Sequence, residues 1–373
     1  MSTSIESAWQ TRELLLDAMR RLRTTADHEN SDRSRTSAVL GMGVRLPDGV
    51  DSPAALWARL TSDRDALWSS RARVSGWPGG GPDAMEPNLP RRLVYDVARE
   101  ALADAGLSAA RLENVSVGVY LGVSQGGLAA ALSRRLHLCG PSLAVDPRGS
   151  SALVALHLAV RGLRSGDCDF ALVGGAGGDD CVMLLLGSGG DYGSNSRPPR
   201  AHVLGTAVGG DHRALTRTGR HELLRRALSD ARLRAEQVSY VELLGNAIVA
   251  GGPPGLEAVR AVYGSGSTRC VLGGADLDPS GTELAAGMLA VARTILIIEH
   301  RRSPSHAGAA LRNGDIDLGG TRLVAPAASV ALEVCGPIQP FAAAVGAFVS
   351  DGTDTHVLLG GAPGPSSTES TRR

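Results

Sequence analysis

The stretch VDPRGSSALVALHLAV, residues 145–160, has the layout that enzymes use to present a nucleophile. A strand end runs into a tight turn, and an amphipathic helix follows. A thiol or hydroxyl at such a helix N-terminus faces orphan backbone N–H groups and the positive end of the helix dipole, which favours attack on an acyl carbon. At the apex stands Gly149, which has no nucleophilic side chain. Ser150 and Ser151 come next. Their hydroxyls are expected to cap the helix, and acting as a nucleophile would require a general base within hydrogen-bond reach. The histidines that could serve are His157, two turns into the same helix, His212 beside Asp211, and His356 near the end of the chain. Packing and structural hydrogen bonding are the expected roles of His157 and His356. The Asp211–His212 pair is weak, because neighbouring residues usually point apart. Cys139 and Cys168 lie outside the turn and are expected to be small buried hydrophobes. GVSQGG at 122–127 lacks the strand-to-helix fingerprint of a nucleotide site.

The elements that position these residues alternate in type. Short apolar runs (SAVLGMG, VSVGVYLGV, CDFALVGG, VSYVELLG, RCVLGGAD, FAAAVGAFVS, HVLLGG) are separated by helical patterns such as RRLVYDVAREALADAG, which stops at Gly106. Strands alternating with helices predict an α/β fold with largely parallel, two-sided sheets. TELAAGMLAVARTILIIEHRR is apolar almost all round and is expected to be a helix buried between layers. Residues 4–23 form a helix by pattern, either packed on the body or acting as a docking helix, and a polar stretch isolates it from the rest. The glycine- and proline-rich stretches 77–90 and 187–200 are expected to be connecting loops.

Among the 373 residues, 38 basic residues, all arginine, balance 38 acidic ones. A net charge of zero argues against non-specific binding to nucleic acid or an anionic membrane surface. The 5 cysteines are odd in number and scattered, which points to neither a disulfide framework nor a zinc site and suggests a reducing cytoplasm. No apolar leader or membrane span is evident. No motif calls for a cofactor or a metal.

The turn region, GPSLAVDPRGSSALVALHLAVRGLRSGDCDFALVGG, resembles the nucleophile region D-T-A-C-S-S-S-L-V-A-L-H-L-A of the β-ketoacyl synthases of modular polyketide synthases. Five further segments match that family in order: SAVLGMGVRLPDGVDSPAALWARLTSDRDA, AMEPNLPRRLVYDVAREALADAGL, RAEQVSYVELLGNAIVAGGPPGLEAVRAVYG, VLGGADLDPSGTELAAGMLAVARTIL and VGAFVSDGTDTHVLL. The resemblance implies a thiolase-like fold, with two related halves, stacked mixed sheets and buried helices. It also implies a division of the chain: a docking-like helix and linker over 1–36, a ketosynthase-like domain over 37–363 and a disordered tail over 364–373.

In that family a cysteine takes the acyl chain, and two histidines assist decarboxylation and stabilise the developing charge. The matching positions here are Gly149, Leu244 and Gly281, and the family lysine aligns with Asp276. None of the three can transfer a proton or donate a side-chain hydrogen bond. The resemblance therefore implies a degenerate, non-condensing ketosynthase-like protein. Its expected partners are an acyl carrier protein, with a phosphopantetheine-borne acyl chain, and an active ketosynthase or a second copy of itself as a dimer partner. The alternative is an acyltransferase that moves or releases a polyketide chain using Ser150 as substitute nucleophile. The family's F-D-A-x-F-F-G segment and its C-K-P-F-D-x-x-A-D-G loop have no counterpart, which bears on the pocket and on the usual dimer.

Overall fold

In a computed structural model, residues 36–47, 49–62, 89–107, 112, 115–124, 126–147, 149–188, 197–209, 216–244, 252–275, 283–304, 318–326, 328–333, 341–349 and 353–361 are described. The expected helix over 4–23, His212, Gly281, Asp276, Cys335, the tail, and residues 77–88 and 189–196 of the two glycine- and proline-rich stretches lie outside these residues.

The first half contains β1 (Ser37–Arg45), α1 (Pro53–Thr61), α2 (Leu89–Asp104), β2 (Val117–Gly122), α3 (Leu128–Arg135), β3 (Ser142–Val145), α4 (Ser151–Ser165), β4 (Phe170–Gly177) and β5 (Asp180–Ser188). The second contains β6 (Ala201–Gly209), α5 (Arg217–Asp230), β7 (Val238–Leu244), α6 (Gly252–Tyr263), β8 (Cys270–Ala275) and α7 (Glu283–His300). It continues through β9 (Arg302–Ser303), β10 (Leu323–Val324), β11 (Val330–Ala331), β12 (Ala342–Ala347) and β13 (Asp354–Gly360).

The strand order reveals an internal repeat. The first half runs β1-β5-β4-β2-β3 and the second β6-β13-β12-β7-β8, with β10 added outside β8. In both halves the first two pairings are antiparallel and the next two parallel. The halves meet where β1 pairs with β6 through Ser37–Val203, Ala38–His202 and Val39–Ala201. α4 and α7 each pack against strands of both halves, and the largest core cluster draws residues from both. The two halves of this one 11-stranded sheet thus share a buried helical layer, in keeping with the thiolase-like expectation.

Local signals explain the elements. The side chain of Ser52 caps α1 through the Ala55 N–H, ahead of Pro53 at the first turn. α2 ends at Gly106, whose φ of +70° allows a wrap in which Leu107 donates to the Leu102 carbonyl. α7 is buried along most of its length, and only Glu299 and His300 are exposed at its end.

Six strands go beyond the expected list: β3, β5 and β6, and the two-residue strands β9, β10 and β11. β5 and β6 form the antiparallel centre of the sheet, and β3 is a four-residue edge strand whose last residue is the strand end expected at Val145. Cys168 is buried, as expected of a small hydrophobe, and so are Cys181 and Cys270, but Cys139 is exposed, so the expectation for it is corrected. It lies in the segment leading into β3 at the edge of the sheet, bridged to Ser116.

Candidate functional site

The end of β2 brings the turn between β3 and α4 close against the sheet. A Cβ on Gly122 would lie 2.3 Å from the Ala152 nitrogen, so strand and helix start touch backbone to backbone only because this residue is glycine. α7 crosses the same helix, with Gly287 facing Leu153. Gly149 is buried at the apex, with φ of +29°.

Ser150 and Ser151 are fully buried. Ser150 occupies the N-cap position but makes no side-chain capping bond; its hydroxyl donates instead to the Thr353 carbonyl. The capping role expected for it is therefore corrected: the acceptor from the distant chain end competes successfully for the hydroxyl. Ser151 donates to Asp146 Oδ1 at 3.3 Å. Among the described residues, no histidine approaches either hydroxyl within hydrogen-bond distance, so neither serine has the imidazole base that activation would need.

Leu244 ends β7, paired in register with Ala275, and is buried in the central core. Two residues earlier, Glu242 forms a buried ion pair with Arg293 of α7 at 3.2 Å and accepts the Tyr240 hydroxyl. Burial and the adjacent carboxylate hold the Tyr240 phenol well above its usual range.

His157 lies 2.8 Å from the Thr206 hydroxyl, and burial, followed by the Arg161 charge, lowers its pKa. His356 is completely buried, with Nε2 2.7 Å from the Tyr263 hydroxyl. Desolvation lowers its pKa to about 3, so it is neutral. The structural roles expected for both histidines match this geometry.

The segment that receives the Ser150 hydroxyl is itself anchored. Asp354, next to Thr353, pairs with Arg220 at 3.0 Å and accepts the Val349 N–H at 2.8 Å. Arg220 also lies over the Phe348 ring, 5.4 Å from its centroid. Burial raises the pKa of Asp354, opposed by the Val349 N–H and by Arg220.

The buried pairs Arg220–Asp354 and Glu242–Arg293 were not singled out from the sequence. A signal was present: Glu242 and Arg293 interrupt the apolar runs VSYVELL and AVARTILII.

A cavity of about 630 Å³ opens beside the loops entering β8 and β10, toward the opposite edge of the sheet from β3. Its Arg322 spends its donors on the carbonyls of Tyr263, Glu236, Thr268, Ala235 and Val238, leaving none for a ligand.

Family models for the β-ketoacyl synthase N-terminal and C-terminal domains match residues 124–183 and 200–309. The chain is similar to the 6-methylsalicylic acid synthase of Aspergillus niger, 27% identical across 90% of this chain and 25% of that protein. A component of the phenolphthiocerol/phthiocerol polyketide synthase of Mycobacterium tuberculosis is 27% identical across 86% of the chain and 27% of that protein. The chain therefore spans about a quarter of these curated relatives. Among solved structures, a ketosynthase from module 6 of the bacillaene synthase of Bacillus subtilis 168 shares the thiolase-like fold, with a TM-score of 0.75 at 21% identity, covering 88% of this chain and 72% of that one. An oxazolomycin ketosynthase domain of Streptomyces albus JA3453 aligns with a TM-score of 0.70 at 30% identity, over 88% of this chain and 96% of that one. With that domain followed almost from end to end, and both family models matched in order, the chain belongs to the β-ketoacyl synthases of modular polyketide synthases.

Proposed function

We propose that this chain is a catalytically degenerate, non-condensing ketosynthase-like partner. It would bind an acyl carrier protein with its phosphopantetheine-borne chain, an active ketosynthase, or both. The observation that carries the reading is the turn itself. Where the family presents its nucleophile, buried Gly149 offers backbone only, and the next hydroxyl is spent on the Thr353 carbonyl. Leu244 adds an isobutyl group where the family has a proton-transferring ring. The relatives are polyketide synthases much longer than this chain, which suits a component that works beside carrier proteins. The edge strand β3 carries exposed Leu143 and, among the described residues, pairs with a strand on one side only, a feature suited to pairing with a second ketosynthase body. In this reading residues 1–36 dock, 37–363 form the ketosynthase-like body, 364–373 are a tail, and the protein works in the cytoplasm. No described helix is long and apolar enough to cross a membrane.

Incubation with malonyl- and acyl-loaded carrier protein, followed by sedimentation and intact-mass spectrometry, tests the reading. Complex formation without a β-ketoacyl product is expected; appearance of that product overturns it. Gly149→Cys is expected to acquire a thiol but no condensing activity, because Leu244 supplies no proton. At φ of +29° the new side chain should also cost about 1 kcal/mol of stability.

The acyltransferase alternative is tested separately, and the partner reading predicts against it. Ser150→Ala should leave any chain transfer unchanged and cost about 1 kcal/mol through the lost buried hydrogen bond. Transfer abolished in a folded Ser150→Ala protein would establish the alternative instead.

A further inference from the structure

Three residues of α4 share one face of that helix. His157, Arg161 and Arg164 stand four and then three positions apart, so their side chains are neighbours. Arg226 and Asp230 repeat the four-residue interval on α5. The two faces are tied together. Arg164 donates to both Asp230 carboxylate oxygens at 2.9 Å, and the Thr206 N–H of β6 donates to Asp230 Oδ2 at 2.9 Å. The Thr206 hydroxyl meets His157 Nδ1 at 2.8 Å. Strand and helices thus fix the half-buried imidazole by one nitrogen, while Nε2 is reached by solvent and has no partner among the described residues.

The surroundings of that nitrogen are cationic. After burial, the Arg161 charge does most to lower the His157 pKa; Asp230 opposes it, and Arg164 and Arg226 add to it. Asp230 is already engaged by Arg164 and the backbone. Arg161 and Arg226 are exposed, and among the described residues neither has a carboxylate within ion-pair distance.

We propose that His157, Arg161 and Arg226 bind a phosphate monoester on the face shared by α4 and α5. Three arginines against one aspartate leave a surplus of two positive charges, which suits a dianion better than a carboxylate. Two guanidinium forks and the Nε2–H supply donors for the three terminal oxygens. Because the arginines stand at the surface, the ester oxygen can point outward and carry an organic group. A dianion at Nε2 also favours the imidazolium, so binding and proton uptake by His157 are coupled. The site lies two turns along α4 from the Gly149 turn and does not depend on the partner reading.

The test titrates the full chain with phenyl phosphate at constant ionic strength by calorimetry, with inorganic phosphate and benzoate alongside. Phenyl phosphate is expected to bind at least as tightly as inorganic phosphate, and benzoate not to bind. Arg161→Gln and Arg226→Gln should each weaken binding about tenfold. Neither side chain makes a described hydrogen bond or ion pair, so both variants should fold. Arg225→Gln removes the same charge from a neighbouring position of α5 and should bind like the wild type. A second readout follows the His157 ring by NMR, its signal assigned by its loss in His157→Gln. Saturating phenyl phosphate should raise its pKa by about one pH unit, equivalent to a tenfold preference for the imidazolium. No binding by the wild type, binding of benzoate as tight as that of phenyl phosphate, an equal loss in Arg225→Gln, exclusion of phenyl phosphate while inorganic phosphate binds, or an unmoved His157 titration would each overturn the proposal. No carrier protein or ketosynthase enters the assay, so its failure is distinct from failure of the partner reading.

Discussion

Asp354→Ala is expected to destabilise the protein by about 3–5 kcal/mol, the cost of breaking a buried ion pair by removing one partner. Arg220 and Asp354 are both almost fully buried, at 2% and 1% side-chain exposure. With Asp354 gone, the Arg220 guanidinium retains the Val349 carbonyl at 3.3 Å and the Phe348 ring but loses the Asp354 carboxylate. The Val349 N–H loses its acceptor in the same step. Burial pushes the Asp354 carboxyl up against the combined pull of Arg220 and the backbone, so the pair fixes geometry more than it adds stability. The double variant Arg220→Met/Asp354→Leu follows from that asymmetry. Replacing both charges by apolar groups should recover most of the loss. Urea unfolding of the wild type, the single variant and the double variant measures it. A double variant no more stable than the single one would show that the charges contribute stability themselves. What the pair holds in place is the segment after Phe348, which returns the chain to the turn and supplies the Ser150 acceptor.

Much of this was legible in the sequence, for physical reasons. β1, β2, β4, β7, β12 and β13 are buried along nearly their whole length, as are the described side chains of β8, and so they read as continuous apolar runs. α7 was legible because it lies between two layers and carries hydrophobic residues all round. β5 and β6 were harder to see: DCVMLLLGS and AHVLGTAVG flank the stretch that matches the family least well, and the latter is broken by glycines. β3 is too short and exposed to carry a pattern. The internal repeat was expected from the resemblance but had no repeated motif behind it, because the halves share strand order and not residues. Gly149 and Leu244 could be located by motif alone. The fate of the Ser150 hydroxyl could not, since its acceptor lies 203 positions away. The same is true of His356 and Tyr263, separated by 93 positions.

That last pair sets an acid limit on the fold. His356 is neutral and fully buried, with Nε2 against the Tyr263 hydroxyl and Nδ1 without a partner among the described residues. Protonation would place a charge and a second N–H donor where nothing accepts them. The folded pKa, lowered to about 3, lies below that of an unfolded histidine near 6.5. The stability this residue contributes is therefore complete above pH 6.5 and is lost as pH falls toward 3, because the unfolded chain binds the proton and the folded one does not. Between pH 7.5 and 4.5 the loss from His356 alone is about 3 kcal/mol. Burial lowers His157 and His202 as well, adding to it in the same direction. Asp354, Glu100 and Glu299, held above the usual carboxylate range mainly by desolvation, oppose it by accepting protons in the folded state first. The bare pH profile mixes these effects, and Tyr263→Phe/His356→Leu isolates the histidine by removing both partners together. The stability difference between wild type and double variant should change by about 3 kcal/mol from pH 7.5 to 4.5, with the wild type losing more on acidification. Parallel curves would mean that His356 takes up its proton inside the folded protein. Gly346 argues against that: a Cβ there would lie 3.3 Å from Nδ1, so the ring packs against the backbone of the neighbouring strand in a fully buried site.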